Sequence, residues 1–170
     1  MSNNISKKEL KSYLYGQDDV RVASLRYGKA RRQIESVGCG LVAVYNVMKR
    51  LDREQSFEDI IRDAQRLHMP WLFGFFGTKP RSLSRYFKLH RVDCRLTNNC
   101  AEFKSSLSEA NAAIICTWCG KRTDGIHFFT VFNDDGRLTA LNRYCGKAPT
   151  PFSSDEIRED RFICGYLFVS

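Results

Sequence analysis

The chain has 170 residues, of which 43% are hydrophobic, and it carries 27 Lys and Arg residues against 19 Asp and Glu residues. A chain of this length forms a single domain by default and buries a sizeable core, which excludes disorder of the whole chain. No apolar run approaches the ~20 residues of a membrane-spanning helix, and the N-terminus shows no apolar signal segment. We therefore expect a cytoplasmic protein without membrane insertion, whose seven cysteines are reduced.

The net charge of +8 is concentrated in two segments. Residues 1–32 carry eight basic and three acidic groups, and residues 81–95 carry five and one. A solvated surface is the simpler interpretation, and an acidic partner such as RNA, anionic lipid or an acidic peptide is the alternative. Nucleic acid is the least expected of these partners, because no nucleic-acid-binding motif is present. The pattern gives no oligomeric state.

Helical patterns dominate the first two thirds of the chain. We predict a short polar helix or arm over 6–14, inside an N-terminal basic segment 1–27, and a buried helix over 41–51 that is apolar on nearly every side. Ser56 begins the next helix in a capping-box-like sequence, and this helix ends near His68. The elements that follow are an aromatic loop over 69–80, a helix over 81–90, a strand over 92–97 and a helix over 100–110.

The rest of the chain has the composition of β-strands. Segments rich in β-branched and aromatic residues predict strands over 112–118, 125–133, 137–144 and 162–169. Asp134-Asp135-Gly136 joins the middle two as a hairpin. Helices followed by antiparallel strands predict an α+β domain of two layers.

Cys39 is the candidate nucleophile. It lies between Gly38 and Gly40 at the start of the predicted buried helix, where unsatisfied N–H groups and the helix dipole favour thiolate and should lower the pKa of the thiol. The two glycines should leave room for a substrate backbone. The alternative is a small buried residue without chemistry.

His127 and Asn142 lie on two successive predicted strands. With a two-residue turn at 135–136, His127 faces Tyr144 and Phe129 faces Asn142, whereas a four-residue loop sets Asn142 opposite His127. In both registers His127 and Asn142 share a face of the sheet. An odd-length loop without a bulge would instead separate them.

The chemistry of these residue types suggests a role for each. Cys39 is the nucleophile, His127 is the base that holds the thiol as thiolate and later protonates the leaving group, and Asn142 orients the imidazole. Gln33, six residues before the cysteine, offers an amide donor for an oxyanion hole. Tyr144 is placed to shield the His127–Asn142 pair from water.

These motifs resemble a known family. QIESVGCG (33–40) before an apolar helix, HFFTVFND (127–134) and LNRY (141–144) are similar to the papain-like cysteine peptidases, most of all to the bacteriocin leader-peptidase group and its stand-alone relatives. The resemblance implies a papain-like α+β fold over residues 28–170, with N-terminal helices, the nucleophile at the start of a central buried helix, and a C-terminal antiparallel sheet. It further implies hydrolysis of a peptide or isopeptide bond through an acyl-enzyme.

Two other functions stay open at this point. The same residues support acyl transfer or transpeptidation to an amine, and a catalytically silent papain-like module that binds an acidic partner is the alternative from another class. No cofactor is expected. A metal site is not expected either, because Cys116 and Cys119 lie three apart on a predicted strand and point to opposite faces. The aromatic loop is expected to place Trp71, Phe73, Phe75 and Phe76 in the core, and the alternative is that the loop, with Trp71, forms a wall of the substrate cleft.

Overall fold

The computed structural model describes residues 12–120, 125–144 and 147–169. The helices are α1 (Ile34–Val37), α2 (Cys39–Arg50), α3 (Phe57–Arg66), α4 (Leu83–Leu89) and α5 (Cys100–Ser106). The strands are β1 (Arg26–Tyr27), β2 (Arg32–Gln33), β3 (Arg95–Thr97), β4 (Ala112–Trp118), β5 (Ile126–Asp134), β6 (Arg137–Leu141), β7 (Thr150–Phe152) and β8 (Phe162–Phe168). Two 3-10 turns cover Trp71–Gly74 and Ser154–Glu156.

Six strands form one antiparallel sheet in the order β3-β8-β4-β5-β6-β7, and β1 pairs separately with β2. The four predicted long strands are confirmed, although β6 ends at Leu141 and not at 144. Strands β1, β2 and β7 have two or three residues each and lack the alternating apolar pattern that would have predicted them. Within the described ranges, no helix combines the length and the apolar composition that a membrane span requires.

The turn between β5 and β6 fixes how these strands align. Asp134 pairs with Arg137, and the two residues between them both have positive φ, 51° at Asp135 and 86° at Gly136. Both central residues of a type I′ turn have this conformation, and it matches the twist of the strands. The predicted two-residue turn is confirmed, and the four-residue alternative is wrong.

The large sheet has an apolar core on each face. Along β5, Phe128 and Phe132 pack into a core shared with α2, whereas Phe129 and Val131 pack into a second core with α5. This alternation follows from the two-residue period of a strand. The predicted α+β architecture is confirmed, with the buried helix α2 on one face of an antiparallel sheet and α5 covering the other.

Residues 12–27 belong to the main core. Tyr13, Leu14 and Val22 are buried there, and Asn46 in the middle of α2 makes two hydrogen bonds with the backbone of Leu14. The Leu14 N–H donates to Asn46 Oδ1 at 2.9 Å, and Asn46 Nδ2 donates to the Leu14 carbonyl at 2.8 Å. This part of the predicted arm therefore packs against the domain predicted over 28–170. The predicted helix over 6–14 lies mostly outside the described residues, and residues 12–14 are not helical.

Candidate active site

Cys39 is the first residue of α2 and lies against strand β5. It is only 8% exposed, and the backbone N–H groups of Phe128, Gly40 and Cys39 itself are placed to stabilise a thiolate. Burial nevertheless raises the pKa of the Cys39 thiol, and this effect exceeds the opposing effect of those N–H groups. The predicted lowering of this pKa is therefore wrong for the free protein, because desolvation outweighs the helix terminus.

The glycines beside the nucleophile make room for the protein itself. A Cβ at Gly38 would lie 2.4 Å from the Ile34 Cγ2 atom, and a Cβ at Gly40 would lie 2.8 Å from the Thr78 Cβ atom. Both separations are shorter than any normal contact between carbon atoms. Ile34 and Thr78 therefore fill the side of each glycine on which a Cβ would stand, and the role of Gly38 and Gly40 in binding a substrate backbone stays a prediction.

His127 and Asn142 are in direct contact. The Nε2 atom of His127 lies 2.5 Å from the backbone carbonyl oxygen of Asn142. A carbonyl oxygen only accepts hydrogen bonds, so Nε2 must carry the proton. In the neutral imidazole the other nitrogen, Nδ1, then has a free lone pair and is the basic atom.

Asn142 makes this contact with its main chain and not with its side chain. It follows the last residue of β6 and has a φ of 58°, in the left-handed region that Asn adopts more readily than most residues. Its Nδ2 atom donates to the Phe128 carbonyl at 3.3 Å, and its Oδ1 atom is buried without a partner among the described residues. The structure thus retains the predicted proximity but moves the orienting group from the side chain to the carbonyl.

The surroundings of His127 favour its neutral form. Burial lowers the pKa of its imidazole, and the Asn142 carbonyl only partly opposes this effect. The ring stacks on that of Phe129, with centroids 6.4 Å apart. No hydrogen bond joins it to Cys39 within the described part of the chain, although the thiol lies beside the next residue of the same strand, Phe128. The two pKa shifts therefore both favour the uncharged forms of the thiol and the imidazole in the free protein.

The other predicted site residues, Gln33, Trp71 and Tyr144, contact residues other than Cys39, His127 and Asn142. Gln33 ends β2, directly before α1, and its side chain has no hydrogen-bond partner in the described ranges. Trp71 begins the aromatic loop and packs against Phe76 with ring centroids 6.0 Å apart. Tyr144 is half-exposed, and Arg143 lies over its ring at 5.1 Å. None of the three makes a hydrogen bond to Cys39, His127 or Asn142 in the described structure.

Sequence reasoning missed the support beneath the nucleophile. Thr78 packs on Gly40, and its hydroxyl lies 3.2 Å from that of Tyr27, which is fully buried. Burial raises the pKa of Tyr27 well above its usual range, so this phenol stays protonated. The Gly77-Thr78 dipeptide stands out in an otherwise aromatic loop, and this is the only signal in the sequence that points to Thr78. Nothing in the sequence indicates that Thr78 pairs with Tyr27, 51 residues away.

The other described cysteines include one facing pair in the sheet. Cys116 and Cys164 face each other across β4 and β8, with their thiols in hydrogen-bond contact, and Cys119 is exposed beyond the end of β4. Across residues 12–120, 125–144 and 147–169, no cluster of three or more His, Cys, Asp or Glu side chains is arranged to hold a metal ion.

A cavity of about 370 Å³ lies away from these residues. It is formed between the N-terminal segment, α2 and the start of α3, and it is lined by Leu14, Arg21, Val22, Tyr45, Glu54, Gln55, Ser56 and Phe57. It contains neither the thiol nor the imidazole. The candidate chemistry is therefore at the junction of α2 and β5 and not in this cavity.

Comparison with solved structures supports the fold assignment. The chain is similar to the crystal structure of the peptidase domain of Streptococcus ComA, a bi-functional ABC transporter involved in a quorum sensing pathway. The two share a TM-score of 0.55 and 15% sequence identity over 86% of this chain and 99% of that one. No protein-family model matches the sequence, and no curated protein matches it. The similarity confirms the predicted papain-like α+β fold.

Proposed function

We propose that this protein is a cysteine peptidase that cleaves a peptide or isopeptide bond through an acyl-enzyme on Cys39. The observation that carries the proposal is the contact between His127 Nε2 and the Asn142 carbonyl, which leaves Nδ1 as the basic nitrogen. This base belongs to the strand against which the Cys39 thiol is packed. The fold shared with a peptidase domain is consistent with the same chemistry.

The first half of the reaction forms a thioester. The Cys39 sulfur attacks the carbonyl carbon of the scissile bond while its proton passes to His127 Nδ1. The imidazolium then gives this proton to the leaving amine, the carbon–nitrogen bond breaks, and the acyl group remains on sulfur. The Asn142 carbonyl stabilises the imidazolium, because it accepts a hydrogen bond from Nε2–H throughout.

The second half releases the acyl group. A water molecule gives a proton to His127 Nδ1 as its oxygen attacks the thioester carbon, and the carbon–sulfur bond breaks as the sulfur regains that proton. The product is a carboxylic acid, and the enzyme returns to its initial state. An amine in place of water gives acyl transfer with the same balance of bonds and protons.

The oxyanion that forms in both halves needs hydrogen-bond donors. The N–H groups of Cys39 and Gly40 at the start of α2 are positioned around the sulfur and are free of intrahelical partners. Gln33 supplies a further amide donor in this proposal, and its side chain, which has no hydrogen-bond partner among the described residues, has the freedom to turn towards the substrate. Tyr144 and Trp71 are proposed to line the substrate cleft, as the sequence suggested.

Trapping of the thioester tests the proposal directly. A library of internally quenched peptides identifies a cleaved substrate, and acid quenching within one turnover, followed by intact-mass measurement and peptide mapping, locates the acyl group. We expect it on Cys39, and we expect it to be absent from Cys39→Ala. Added hydroxylamine or an amino acid amide distinguishes hydrolysis from acyl transfer by the product formed.

Cys119→Ala is the matched control. It also replaces a cysteine by alanine, but at an exposed position just beyond the end of β4. We expect it to retain cleavage. Cleavage that survives Cys39→Ala, or an acyl group mapped to another residue, would contradict the proposal. Removal of His127 should lower kcat/KM by about 10²–10⁴-fold, the usual contribution of a general base.

A further inference from the structure

Four large apolar side chains protrude from one short loop. Leu72, Phe73, Phe75 and Phe76 are each between 55% and 63% exposed, and they follow one another closely in the sequence. Scattered apolar residues on a surface are ordinary, but a contiguous group of this size marks an interaction site. We name the segment 71–76 the aromatic loop tip.

The fold holds these side chains outward. Leu72 has a φ of 43° and Phe73 a φ of 60°, in the left-handed region that bulky residues rarely adopt. Such conformations persist only where the surrounding structure enforces them, and they cluster at functional sites. Here Trp71 N–H donates to the Gly77 carbonyl at 2.8 Å, and Ala30 N–H donates to the Phe73 carbonyl at 2.9 Å. The loop is therefore pre-organised with its apolar side chains in solvent.

The partner of this loop is a basic hairpin. The turn between β1 and β2 packs so closely on the loop that a Cβ at Gly28 would lie 2.4 Å from the Phe73 carbonyl oxygen. The hairpin carries four cations and no acidic residue over residues 26–33: Arg26, Lys29, Arg31 and Arg32. None of the four forms an ion pair with a described residue. Exposed apolar side chains and free cations thus lie side by side.

We propose that the aromatic loop tip and the basic hairpin together form a docking surface for an anionic lipid bilayer. Protruding apolar side chains enter the boundary between headgroups and acyl chains, and adjacent Lys and Arg side chains are attracted to anionic headgroups. A second copy of this chain is disfavoured by repulsion between two basic hairpins. The inference needs no peptidase activity, and Trp71, the proposed wall of the substrate cleft, would then lie at the edge of the docking surface.

Vesicle sedimentation tests the surface. The full chain is mixed with vesicles of phosphatidylcholine alone or with added phosphatidylglycerol, at low and high salt. We expect binding to the anionic vesicles, weakened by salt and much reduced with phosphatidylcholine alone. Phe75→Ser/Phe76→Ser should weaken binding by about tenfold or more, because the bilayer loses two aromatic side chains that would be buried in it.

Charge variants with a matched control separate this surface from net charge. Lys29→Gln/Arg31→Gln/Arg32→Gln removes three cations from the hairpin, and Arg85→Gln/Lys88→Gln/Arg91→Gln removes three from the other basic segment, with equal change in net charge. We expect about tenfold weaker binding from the first set and little change from the second. Equal losses from both sets would overturn the proposal, as would the absence of binding to anionic vesicles.

Trp71 reports on the loop directly. The chain has two tryptophans, so Trp118→Phe leaves Trp71 as the only one. We expect its emission to shift to the blue on binding and to be quenched by brominated lipids. Unchanged emission with bound vesicles would overturn the proposal, because another surface would then be binding. Poly-uridine and an acidic peptide test the alternative partners. If the loop variants lost binding to one of these probes and still bound vesicles, the surface would be assigned to that probe and the proposal would be overturned.

Discussion

His127 contacts Asn142 through the main-chain carbonyl of the asparagine and not through its side-chain oxygen. The imidazole is therefore oriented by a peptide group whose position depends on the backbone of residue 142, which has a φ of 58°. The side chain matters for a different reason. It is one of the few that allow a left-handed conformation, and it links this turn to the carbonyl of Phe128.

Substitutions at position 142 should separate backbone conformation from side-chain chemistry. Asn142→Gly accepts the same φ and keeps the carbonyl, so we expect kcat/KM to fall by less than about tenfold. Asn142→Val disfavours the left-handed region and should displace the carbonyl, with a loss of about 10²-fold. Peptide cleavage kinetics at constant enzyme concentration measure both. Equal losses in the two variants would indicate that the amide side chain itself orients His127.

Alkylation of Cys39 should depend strongly on pH. Burial raises the pKa of this thiol, and iodoacetamide reacts with the thiolate, so the rate at Cys39 should rise about tenfold per pH unit through pH 7 to 9. Exposed Cys119 should be labelled first at neutral pH. Time-resolved peptide mapping measures each site, with Cys119→Ser as the control. A rate at Cys39 that is already level below pH 7 would show a preformed thiolate–imidazolium pair.

The buried imidazole should make stability depend on acidity. The pKa of His127 is lower in the folded protein than its usual value of about 6.5, so below that pH the unfolded chain takes up a proton that the folded chain does not. The free energy of unfolding is then unaffected above pH 6.5. It falls by up to about 1.4 kcal/mol per pH unit as the pH drops towards the folded-state pKa.

Urea denaturation at pH 7.5 and 5.5 measures this effect. His127→Gln removes the titrating group, so we expect it to lose less stability than the wild type between the two pH values. His68→Gln, on the surface, should behave as the wild type does. Parallel losses in the wild type and His127→Gln would show that this imidazole is not protected from protonation.

Asn46 should contribute more to stability than its polarity suggests. Asn46→Ala leaves the N–H and carbonyl groups of Leu14 buried without partners. An unsatisfied buried group costs about 1–3 kcal/mol, so the loss should be about 2–5 kcal/mol in urea denaturation. Asn98→Ala, at an exposed position, is the control and should change stability by less than about 0.5 kcal/mol. A small effect of Asn46→Ala would mean that water replaces the amide.

The sequence was most informative where the relevant interactions are local. The apolar run after Gly40 predicted α2, and the Ser56 side chain accepts a hydrogen bond from Asp59 N–H at the start of α3, as the capping sequence suggested. Asp135-Gly136 determines the register of β5 and β6, because this dipeptide favours the two positive φ values that a two-residue type I′ turn requires. These features depend on residues within one turn of each other.

The parts that failed depend on distant contacts. Burial of Cys39 in the core raises the pKa of its thiol, and the space beside Gly40 is filled by Thr78, 38 positions away in the chain. Composition and spacing do not reveal which side chain occupies a gap. The end of β6 at Leu141 was equally hidden, since the strand pattern of 137–144 continues past the point where pairing stops.

The contact between Leu14 and Asn46 also bears on where this chain can be shortened. A fragment that starts at residue 28, the predicted start of the domain, would lack the Leu14 main-chain groups that hydrogen-bond to the Asn46 amide in the middle of α2. Cys39 is the first residue of that helix. The loss of these hydrogen bonds should therefore disturb the position of the proposed nucleophile. Expression of a minimal catalytic fragment should therefore begin before Tyr13, and a shorter fragment should be recovered mainly as aggregate.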